Sequence, residues 1–487
     1  MPFNPLSCPL PSGGRLARWG LVCTAAALSA CALQPPAASS LPPLPHQWSR
    51  TPAFTSPAAP SAHATAEWWQ ALRDPGLSTL VQAAEQASPT LARAMARLEE
   101  VRSSAAAQDV NANPSLRADA KAGRGNSQSG NSKPASSASA SMSLAWELDL
   151  FGGLRHDRAA AQQRLQASRA DAQGTRLSLQ AQVADAAIAA RACAAQAAAR
   201  REDVRSRRAA LQLTELRQSA GQVAALDSAR SRSSLAEAEI NRVSTEEQCA
   251  EGEQQLVQLT GLPLAEVRRA LGEPAAGTGR AVPEPPPLQP ALPATVLASH
   301  PAVVSALRSA DAAWEDIGSA EAARRPSLSL SALLGPSWLR AAGSWARSTS
   351  WSLAPALGGT LWDGGRGAAT AGAARARHAQ ALASLESTLR SAIQDVENAL
   401  SLAEGAAERE RLAMAGSAAA AQLLGASVAS HQAGRMSLFE LEDARRGFNN
   451  AQLALISAQR DRARAWVALM KATGAQAATS SDTQGPT

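Results

Sequence analysis

Hydrophobic and polar residues follow two different periods along this chain. Long alanine-rich stretches with interspersed Arg, Glu and Gln contain almost no proline or glycine, which is typical of helices. Between them lie serine- and glycine-rich blocks in which apolar and polar residues alternate, as in half-exposed strands. The pattern predicts a mostly helical α+β chain with long helices at 155–218, 224–260, 367–431 and 437–473, and with strands at about 115–123, 139–150, 327–335 and 349–361.

The same order of landmarks occurs twice. Five prolines and glycines recur about 212 residues later, as the pairs Pro89 and Pro301, Pro114 and Pro326, Gly152 and Gly364, Gly221 and Gly434, and Gly261 and Gly474. This self-similarity predicts two structural repeats, 67–280 and 294–474. A proline-rich linker at 281–293 joins them, and we expect the tail at 475–487 to be disordered. Each repeat contains a helical segment, two strands and a hairpin of two long antiparallel helices.

Residues 1–30 have the features of a signal peptide. Two arginines precede a short apolar core, Trp19–Leu28, which is too short to span a bilayer as a helix. The segment ends in Leu-Ser-Ala-Cys, which resembles the lipobox of bacterial lipoproteins and makes Cys31 the expected lipidation site. The alternative is an ordinary secretory signal that happens to precede a cysteine. Residues 31–66 are rich in proline, alanine and serine, and we expect a lipidated, poorly ordered tether.

Two further cysteines remain in the exported chain, Cys193 and Cys249. Each lies 28 residues from Gly221, on opposite sides of it. In a helix hairpin that turns at Gly221, the two thiols would lie at the same height. The export signal implies a compartment in which disulfides persist. We therefore expect these cysteines to pair, and the alternative is two free buried thiols.

Composition argues against catalysis and against nucleic-acid binding. The net charge is +6, but the arginines are spread along the helices between Glu and Asp, as on solvated helix faces. Only 3% of the residues are aromatic, and no basic cluster with interleaved aromatic residues is present. The six histidines are scattered and do not form the spacing of a metal site. We expect neither an enzyme nor a metal, and no cofactor beyond the covalent lipid on Cys31.

Four strands per chain impose a constraint if they lie in a membrane. We find no apolar run of about 18 residues after the signal, so we expect no transmembrane helix. Closed membrane barrels need about eight strands or more, and lipid does not tolerate an open sheet edge. The chain therefore has to assemble with further copies. The long helices are about three times longer than a bilayer is thick, and they have to project into an aqueous space.

Aromatic residues usually mark the interfaces of a membrane barrel, and this chain has no tyrosine. Five tryptophans lie in or beside the predicted strands, and we expect them to serve instead: Trp146, Trp338, Trp345, Trp351 and Trp362. The alternative is scattered core packing.

Several stretches resemble TolC-like outer membrane factors, in the OprM/NodT-type lipoprotein branch that serves tripartite efflux systems. They include WWQALRDPGLSTLV, WELDLFGGLR, LWDGGRGAA, QDVENAL, HQAGRMSLFELEDARR and VALMKATG, in order along nearly the whole mature chain. The resemblance implies a homotrimer in the outer membrane, with a twelve-stranded β-barrel and a periplasmic α-barrel of helix hairpins. It also implies a periplasmic adaptor (membrane fusion) protein, an inner-membrane transporter of the RND type, and outer-membrane lipids as partners.

The function that the resemblance implies is a passive exit duct for drugs or other toxic small molecules. Two alternatives stay open. One is the outer-membrane channel of a type I protein secretion system, and the other is a periplasmic coiled-coil lipoprotein scaffold without a pore. The paired strands in both halves favour a channel, because an unbranched coiled coil would not need them.

The resemblance places the periplasmic tip, where relatives close the pore and meet the adaptor, at the two helix breaks. The corresponding residues are Gly221, Gln222, Val223, Asp227, Gly434, Arg435, Met436, Ser437 and Glu440. Met436 occupies a position that is acidic in some relatives, so an acidic constriction ring is not expected here. At the strand–helix junctions we expect glycines to let the backbone turn: Gly152, Gly153, Gly364 and Gly365.

Overall fold

The computed structural model describes residues 47–49, 67–125, 134–272, 282–286, 293–341 and 344–475. Its contacts divide the chain into two compact units, which are described separately. The first includes Ser104–Gln163 and Ala310–Gln380, and the second Leu41–Ser103, Arg164–Ser309 and Ala381–Thr487. The predicted signal peptide, the lipidation site at Cys31 and nearly all of the predicted tail lie outside the described residues.

The first unit contains a four-stranded antiparallel sheet with the order β1-β2-β3-β4. The strands are β1 (Ser115–Gly125), β2 (Ala135–Leu148), β3 (Ser327–Ala341) and β4 (Ser344–Gly358). All four predicted strands are present, although Ala and Ser are weak strand formers, because each strand is paired along its length with a neighbour. The sheet leaves β1 and β4 as its two edges.

The predicted strand bounds are wrong at several ends. β2 and β4 begin four and five residues earlier than predicted and end at Leu148 and Gly358, before the residues that lead into the next helix. β3 was expected to end at Gly335, before a proline, but it continues to Ala341. The ladder to β2 is interrupted at Gly335 and Pro336, whereas pairing with β4 continues through both residues. A proline without an N–H group is tolerated where one neighbour does not require a donor.

The helices follow a 3₁₀ turn at Trp68–Leu72. They are α1 (Pro75–Ala87), α2 (Pro89–Val110), α3 (Gly153–Ser219), α4 (Ala225–Thr260), α5 (Leu264–Gly272), α6 (Pro293–Ser299), α7 (Pro301–Ala322), α8 (Arg366–Gln432) and α9 (Leu438–Ala472). The four long helices begin and end within two residues of their predicted bounds. α3 and α8 each have 67 residues, which corresponds to about 100 Å of helix.

The second unit is held by a core in which tryptophans from the start of the described chain meet small residues of α3. Trp69 is 1% exposed, and Val183 and Ala184 are fully buried. The indole of Trp68 packs 5.7 Å from that of Trp466 and donates a 3.1 Å hydrogen bond to Oε1 of Gln180. Alanine on α3 allows this close approach, because a methyl group is the smallest side chain that still excludes water.

Two segments expected to lie apart from the folded units are packed where the structure describes them. Trp48, within the predicted tether, is 7% exposed in a cluster with Leu297 and Leu400. The next backbone N–H, of Ser49, donates to Glu397 at 2.6 Å. Val282, within the predicted linker, is 1% exposed in the core that contains Trp69. Burial of these apolar side chains stabilises an ordered position for segments whose composition alone predicts disorder.

One helix among the described residues is long and apolar enough by composition to cross a membrane, and it is α8. The stretch between Arg411 and His431 contains no charged residue. The expectation that no segment would pass this test is therefore wrong. The hydropathy comes largely from alanines, and an alanine-rich helix that packs against other helices has the same composition. The test alone therefore does not place α8 in a bilayer.

Candidate functional site

One face of the sheet is apolar and exposed. Residues opposite each other in neighbouring strands share a face, so Leu334, Trp351 and Met142 lie on the same side. Trp351 is 78% exposed and Leu353 is 63% exposed. Away from the hairpin loops and apart from Thr349, this face consists of apolar side chains in all four strands. An exposed apolar surface of this extent indicates contact with lipid or with another protein.

The opposite face of the sheet carries mostly small or polar residues, and Leu333 and Leu339 of β3 are its large apolar side chains. In β4, the alternate positions from Ser344 to Gly358 are only serine, alanine and glycine. Charged residues on this face are confined to the first two strands, and they are Arg117, Asp119, Lys121 and Glu147. The Nε atom of Arg117 lies 3.0 Å from Oδ2 of Asp119. The serines and charged residues make this face suited to water.

Four of the five tryptophans singled out in the sequence lie on the apolar face. Trp146 lies toward the end where the strands join the helices, and its indole donates a 2.9 Å hydrogen bond to the carbonyl of Ala112. Trp338 and Trp345 lie toward the hairpin loops. Trp362 is not in a strand, and it is 88% exposed after β4.

The strand–helix junctions use glycine as expected, together with an aspartate that the sequence analysis missed. Gly152, Gly364 and Gly365 have positive φ angles of 81°, 65° and 91°, whereas Gly153 is simply the first residue of α3. The carboxylate of Asp149 accepts hydrogen bonds from the backbone N–H groups of Leu154 and Arg155, at 3.3 and 3.0 Å. An aspartate just before a helix is the signal that could have identified this cap.

Asp363 plays the same part at the second junction. Its carboxylate accepts hydrogen bonds from the N–H groups of Gly365 and Gly367, at 2.8 and 2.6 Å. The bonds from Gly367 and Gly365 lower the pKa of Asp363. Both junctions therefore hold a carboxylate against backbone N–H groups at the start of the helix that follows the strand.

The two helix breaks have the same backbone geometry. Gly221 and Gly434 have positive φ angles of 70° and 71°. After α3, the N–H of Gly221 bonds to the carbonyl of Gln218 and the N–H of Gln222 bonds to that of Arg217. After α8, Gly434 and Arg435 make the equivalent bonds. This pair of bonds is the Schellman ending, and it requires a residue that adopts positive φ without strain.

The helices that follow the two breaks begin differently. Ser437 and Glu440 form a reciprocal capping box at the start of α9, with distances of 3.2 Å to the N–H of Glu440 and 2.8 Å to the N–H of Ser437. The hydroxyl of Ser437 also donates to the carboxylate of Glu440 at 2.8 Å, and the bonds from the backbone N–H and the hydroxyl of Ser437 lower the pKa of Glu440. At the corresponding positions of the first break stand Ala224, which provides no side-chain cap, and Asp227. The second turn is therefore stabilised by side-chain caps that the first turn lacks.

Met436 contributes its backbone to the second turn. Its carbonyl accepts a 2.9 Å hydrogen bond from Nδ1 of His431, which lies in the last turn of α8. A carbonyl can only accept, so Nδ1 carries the hydrogen in this contact. The Met436 side chain is half-buried, and Arg435 beside it is exposed.

A groove of about 630 Å³ brings the two breaks together. Val223 and Asp227 of the first hairpin line it with Ser437 of the second. Phe439 also lines the groove, is 63% exposed, and has the guanidinium of Arg446 6.0 Å from its ring. Six of the predicted tip residues do not line this groove: Gly221, Gln222, Gly434, Arg435, Met436 and Glu440. Phe439 and Arg446 were not anticipated from the sequence.

The structure joins Cys193 of α3 to Cys249 of α4 by a disulfide. Their Cα atoms are 5.5 Å apart, and 56 residues separate them along the chain. The equal spacing of the two cysteines from Gly221 thus corresponds to equal height in the hairpin. Among the described residues, no group of three or more His, Cys, Asp and Glu side chains is arranged to hold a metal.

A chain that combines an exposed sheet, apolar on one face and mostly polar on the other, with long helix hairpins has the construction of a subunit of a bacterial outer-membrane channel. Comparison with known proteins agrees with this class. The family model for outer membrane efflux proteins matches residues 80–262 and again 292–475. The chain belongs to the outer membrane efflux protein family, whose members are channels, and it is not an enzyme.

Individual relatives match over most of their length. The pyoverdine export outer membrane protein OpmQ of Pseudomonas putida is 28% identical over 464 residues, covering 92% of this chain and 95% of OpmQ. The probable outer membrane lipoprotein SilC of Salmonella typhimurium is 26% identical over 380 residues, covering 75% of this chain and 78% of SilC. The solved Campylobacter jejuni CmeC outer membrane channel has the same fold, with a TM-score of 0.79 at 19% identity over 93% of this chain and 96% of CmeC.

Proposed function

We propose that this protein is the outer-membrane exit duct of a tripartite efflux pump, and that it passively conducts drugs or other toxic small molecules. The observation that carries the proposal is the two-faced open sheet. Its apolar face is suited to lipid and its serine-rich face to a water-filled lumen. In a periplasmic scaffold without a pore, the apolar face of this sheet would be exposed to water.

The height of the apolar face fits a bilayer. On β3, this face runs from Leu328 to Trp338. Ten residues of strand measure about 33 Å, and a tilt of about 45° reduces that to about 23 Å along the membrane normal. The apolar band of outer-membrane barrels is about 25 Å tall. Trp146 and Trp338 then lie near opposite borders of the band, where aromatic side chains are favoured.

The open edges of the sheet support assembly. β1 and β4 each have a neighbour on one side only, so both present a row of unpaired backbone groups. Lipid cannot satisfy these groups, and pairing β1 of one copy with β4 of the next removes both edges. We propose a homotrimer with a twelve-stranded barrel, in which the number three comes from the family. The small side chains of β4 would leave the lumen wide.

The two halves of the chain have the same order of long elements, and the family model matches each half. We infer an internal repeat, in which each half contributes one β-hairpin to the membrane barrel and one helix hairpin to a periplasmic α-barrel. The helices α3 and α8 are the next elements after β2 and β4, and they are too long for a bilayer.

We assign the two helix breaks to the periplasmic tip, where the channel closes and meets the adaptor. The groove lined by Val223, Asp227 and Ser437 supports this assignment, because it joins the two hairpins at their turns. Opening would be a rearrangement of packed helices, biased by a periplasmic adaptor and an inner-membrane transporter of the RND type. These partners come from the family's tripartite systems.

We propose that Cys31 is lipidated and anchors the mature chain to the outer membrane. The Leu-Ser-Ala-Cys sequence and the similarity to SilC, which is named as a probable lipoprotein, support this. The cargo is set by the transporter rather than by the duct. OpmQ is named for pyoverdine export, so pyoverdine is a second cargo to test alongside drugs.

The proposal is tested in two steps. The purified, lipidated protein is first added to planar bilayers, where we expect discrete single-channel conductance from a trimer. Because the isolated channel can rest closed at its tip, the S437A variant, which loosens the second turn, is measured beside it. A correctly folded trimer that produces no conductance in either form would exclude the duct. The gene is then deleted in its source bacterium and restored on a plasmid. Intracellular accumulation of dyes and antibiotics should rise on deletion and fall on restoration, and accumulation unaffected by deletion would exclude drug efflux.

A further inference from the structure

The apolar face of the sheet carries three arginines, all at one end. Arg124, Arg340 and Arg347 lie on this face by register, in the two rows nearest the hairpin loops. The acidic residues of the strands, Asp119 and Glu147, lie on the opposite face. The exposed apolar surface therefore ends in a border that is purely basic.

Two of the arginines are held by tryptophans of the neighbouring strand. Arg340 is paired with Trp345, and its guanidinium carbon lies 5.6 Å from the ring centre. Arg347 is paired with Trp338 at 6.0 Å. A cation over an aromatic ring is attracted to the ring without losing its charge, and tryptophan rings favour the level of lipid headgroups.

The surroundings contain no carboxylate that would neutralise these arginines. All three are exposed, and no salt bridge to them is present within the described residues. The sequence between β1 and β2, and the two residues between β3 and β4, contain neither Asp nor Glu. Arg124 and Arg340 are separated by a single strand, since Ser136 pairs with both. This spacing is about 10 Å, so two guanidinium groups can face one headgroup.

We propose that this border binds a phosphate-bearing glycolipid headgroup of the outer leaflet. The inference rests on the proposed function, because the strands join their helices at one edge of the sheet and the hairpin loops lie at the other. If the helices are periplasmic, the arginines face the outer leaflet. Guanidinium groups match phosphate with paired hydrogen bonds, and the apolar strands below match the acyl chains.

The experiment measures binding of fluorescent lipid A, a phosphorylated glycolipid, to the full-length lipidated trimer in detergent. One basic residue near an anionic lipid surface contributes about fivefold in affinity. We expect about 25-fold weaker binding by the R340S/R347S double variant and about fivefold weaker binding by R340S alone. K121S is the matched control, since Lys121 is a basic residue of the same sheet on the opposite face, and it should bind as the unchanged protein does.

Three results would overturn the inference. They are equal affinity of the double variant and the unchanged protein, an equal loss in K121S, and competition by millimolar inorganic phosphate that abolishes lipid A binding. Dephosphorylated lipid A should bind to the unchanged protein as weakly as lipid A binds to the double variant. The same preparations are tested for conductance. Protein that conducts but does not prefer lipid A refutes only this site, whereas a folded trimer that does not conduct, either unchanged or with S437A at the tip, refutes the proposed function.

Discussion

Arg191 of α3 forms a buried ion pair with Asp74, the N-cap of α1, and also binds the end of the short helix α5. A terminal nitrogen of Arg191 lies 2.7 Å from Oδ1 of Asp74, and the side chains are 6% and 1% exposed. Arg191 also donates to the carbonyls of Leu271 and Ala270, at 3.0 and 3.3 Å. Replacing Arg191 by methionine leaves a buried carboxylate and the last carbonyls of α5 without this donor.

The expected cost follows from this burial. Removing one partner of a buried ion pair costs about 3–5 kcal/mol, because the other charge stays in a poor solvent. A neutral residue in place of the carboxylate removes the cost of the unpaired charge. We therefore expect R191M to destabilise the attachment of α5 by about 3–5 kcal/mol. The D74N/R191M double variant, in which the amide oxygen still caps α1 at the N–H of Leu77, should recover part of it. The control is R208M, which removes an exposed pair with Glu239 at the same 2.7 Å distance and should cost under about 1 kcal/mol.

Hydrogen–deuterium exchange of the α5 amides measures this directly. A loss of about 3–5 kcal/mol in the free energy of opening accelerates exchange by about 10²–10³-fold or more. Exchange in R191M at the rate of the unchanged protein would refute the reasoning. Exchange in the double variant as fast as in R191M would refute the part that assigns the cost to an unpaired charge.

Three further predictions concern the sheet, the tip and the disulfide. On β4, L353R places a charge on the apolar face and should disfavour insertion into bilayers by about 2–4 kcal/mol per copy. S352R, on the opposite face, should insert normally. Equal yields of folded trimer from the two variants would contradict the assignment of faces. S437A should destabilise the second turn by about 1 kcal/mol in exchange of the first α9 amides. The folded-state pKa of Glu440 is lowered, so its contribution is present at neutral pH and is lost as the pH falls through that pKa; turn stability that rises on acidification would contradict this. Replacing both bridged cysteines by serine should cost about 4 kcal/mol for a loop of 56 residues, seen as a lower melting temperature, and an unchanged melting temperature would show that the bond does not constrain the unfolded chain.

The bounds of the long helices could be predicted closely because they are determined by residues at the helix ends themselves. Gly221 and Gly434 end α3 and α8 by backbone geometry that glycine adopts without strain, and neither helix contains a proline. The disulfide was predictable for a related reason. A hairpin with a known turning point converts equal sequence distance into equal height.

The strands and the packed segments were harder to predict because their positions depend on distant residues. β3 passes through Pro336 only because β4 continues to pair there. Trp48 belongs to a segment of low complexity, and its burial depends on Leu297 and Leu400, which lie hundreds of residues away. The pairing of Asp74 with Arg191 is equally non-local, with 117 residues between them. The periodicity of apolar residues identifies helices and strands, but it does not identify which distant residues come into contact in the fold.

The site was predicted in part. The junction glycines and the turn glycines are where the sequence indicates, but Asp149 and Asp363 were missed although aspartate before a helix is a known cap. Phe439 and Arg446 were missed because their importance comes from a groove between two hairpins. A groove of this kind has no signature in either segment alone.

The central claim is that one face of the sheet meets lipid and the other meets water. Single cysteines at 350, 351, 352 and 353, in β4, test it most directly with a membrane-impermeant thiol reagent applied to intact cells. The native cysteines should contribute no background, since two are bridged and Cys31 is expected to carry lipid. The account predicts that S350C and S352C react while W351C and L353C do not. Equal labelling of adjacent positions would contradict it.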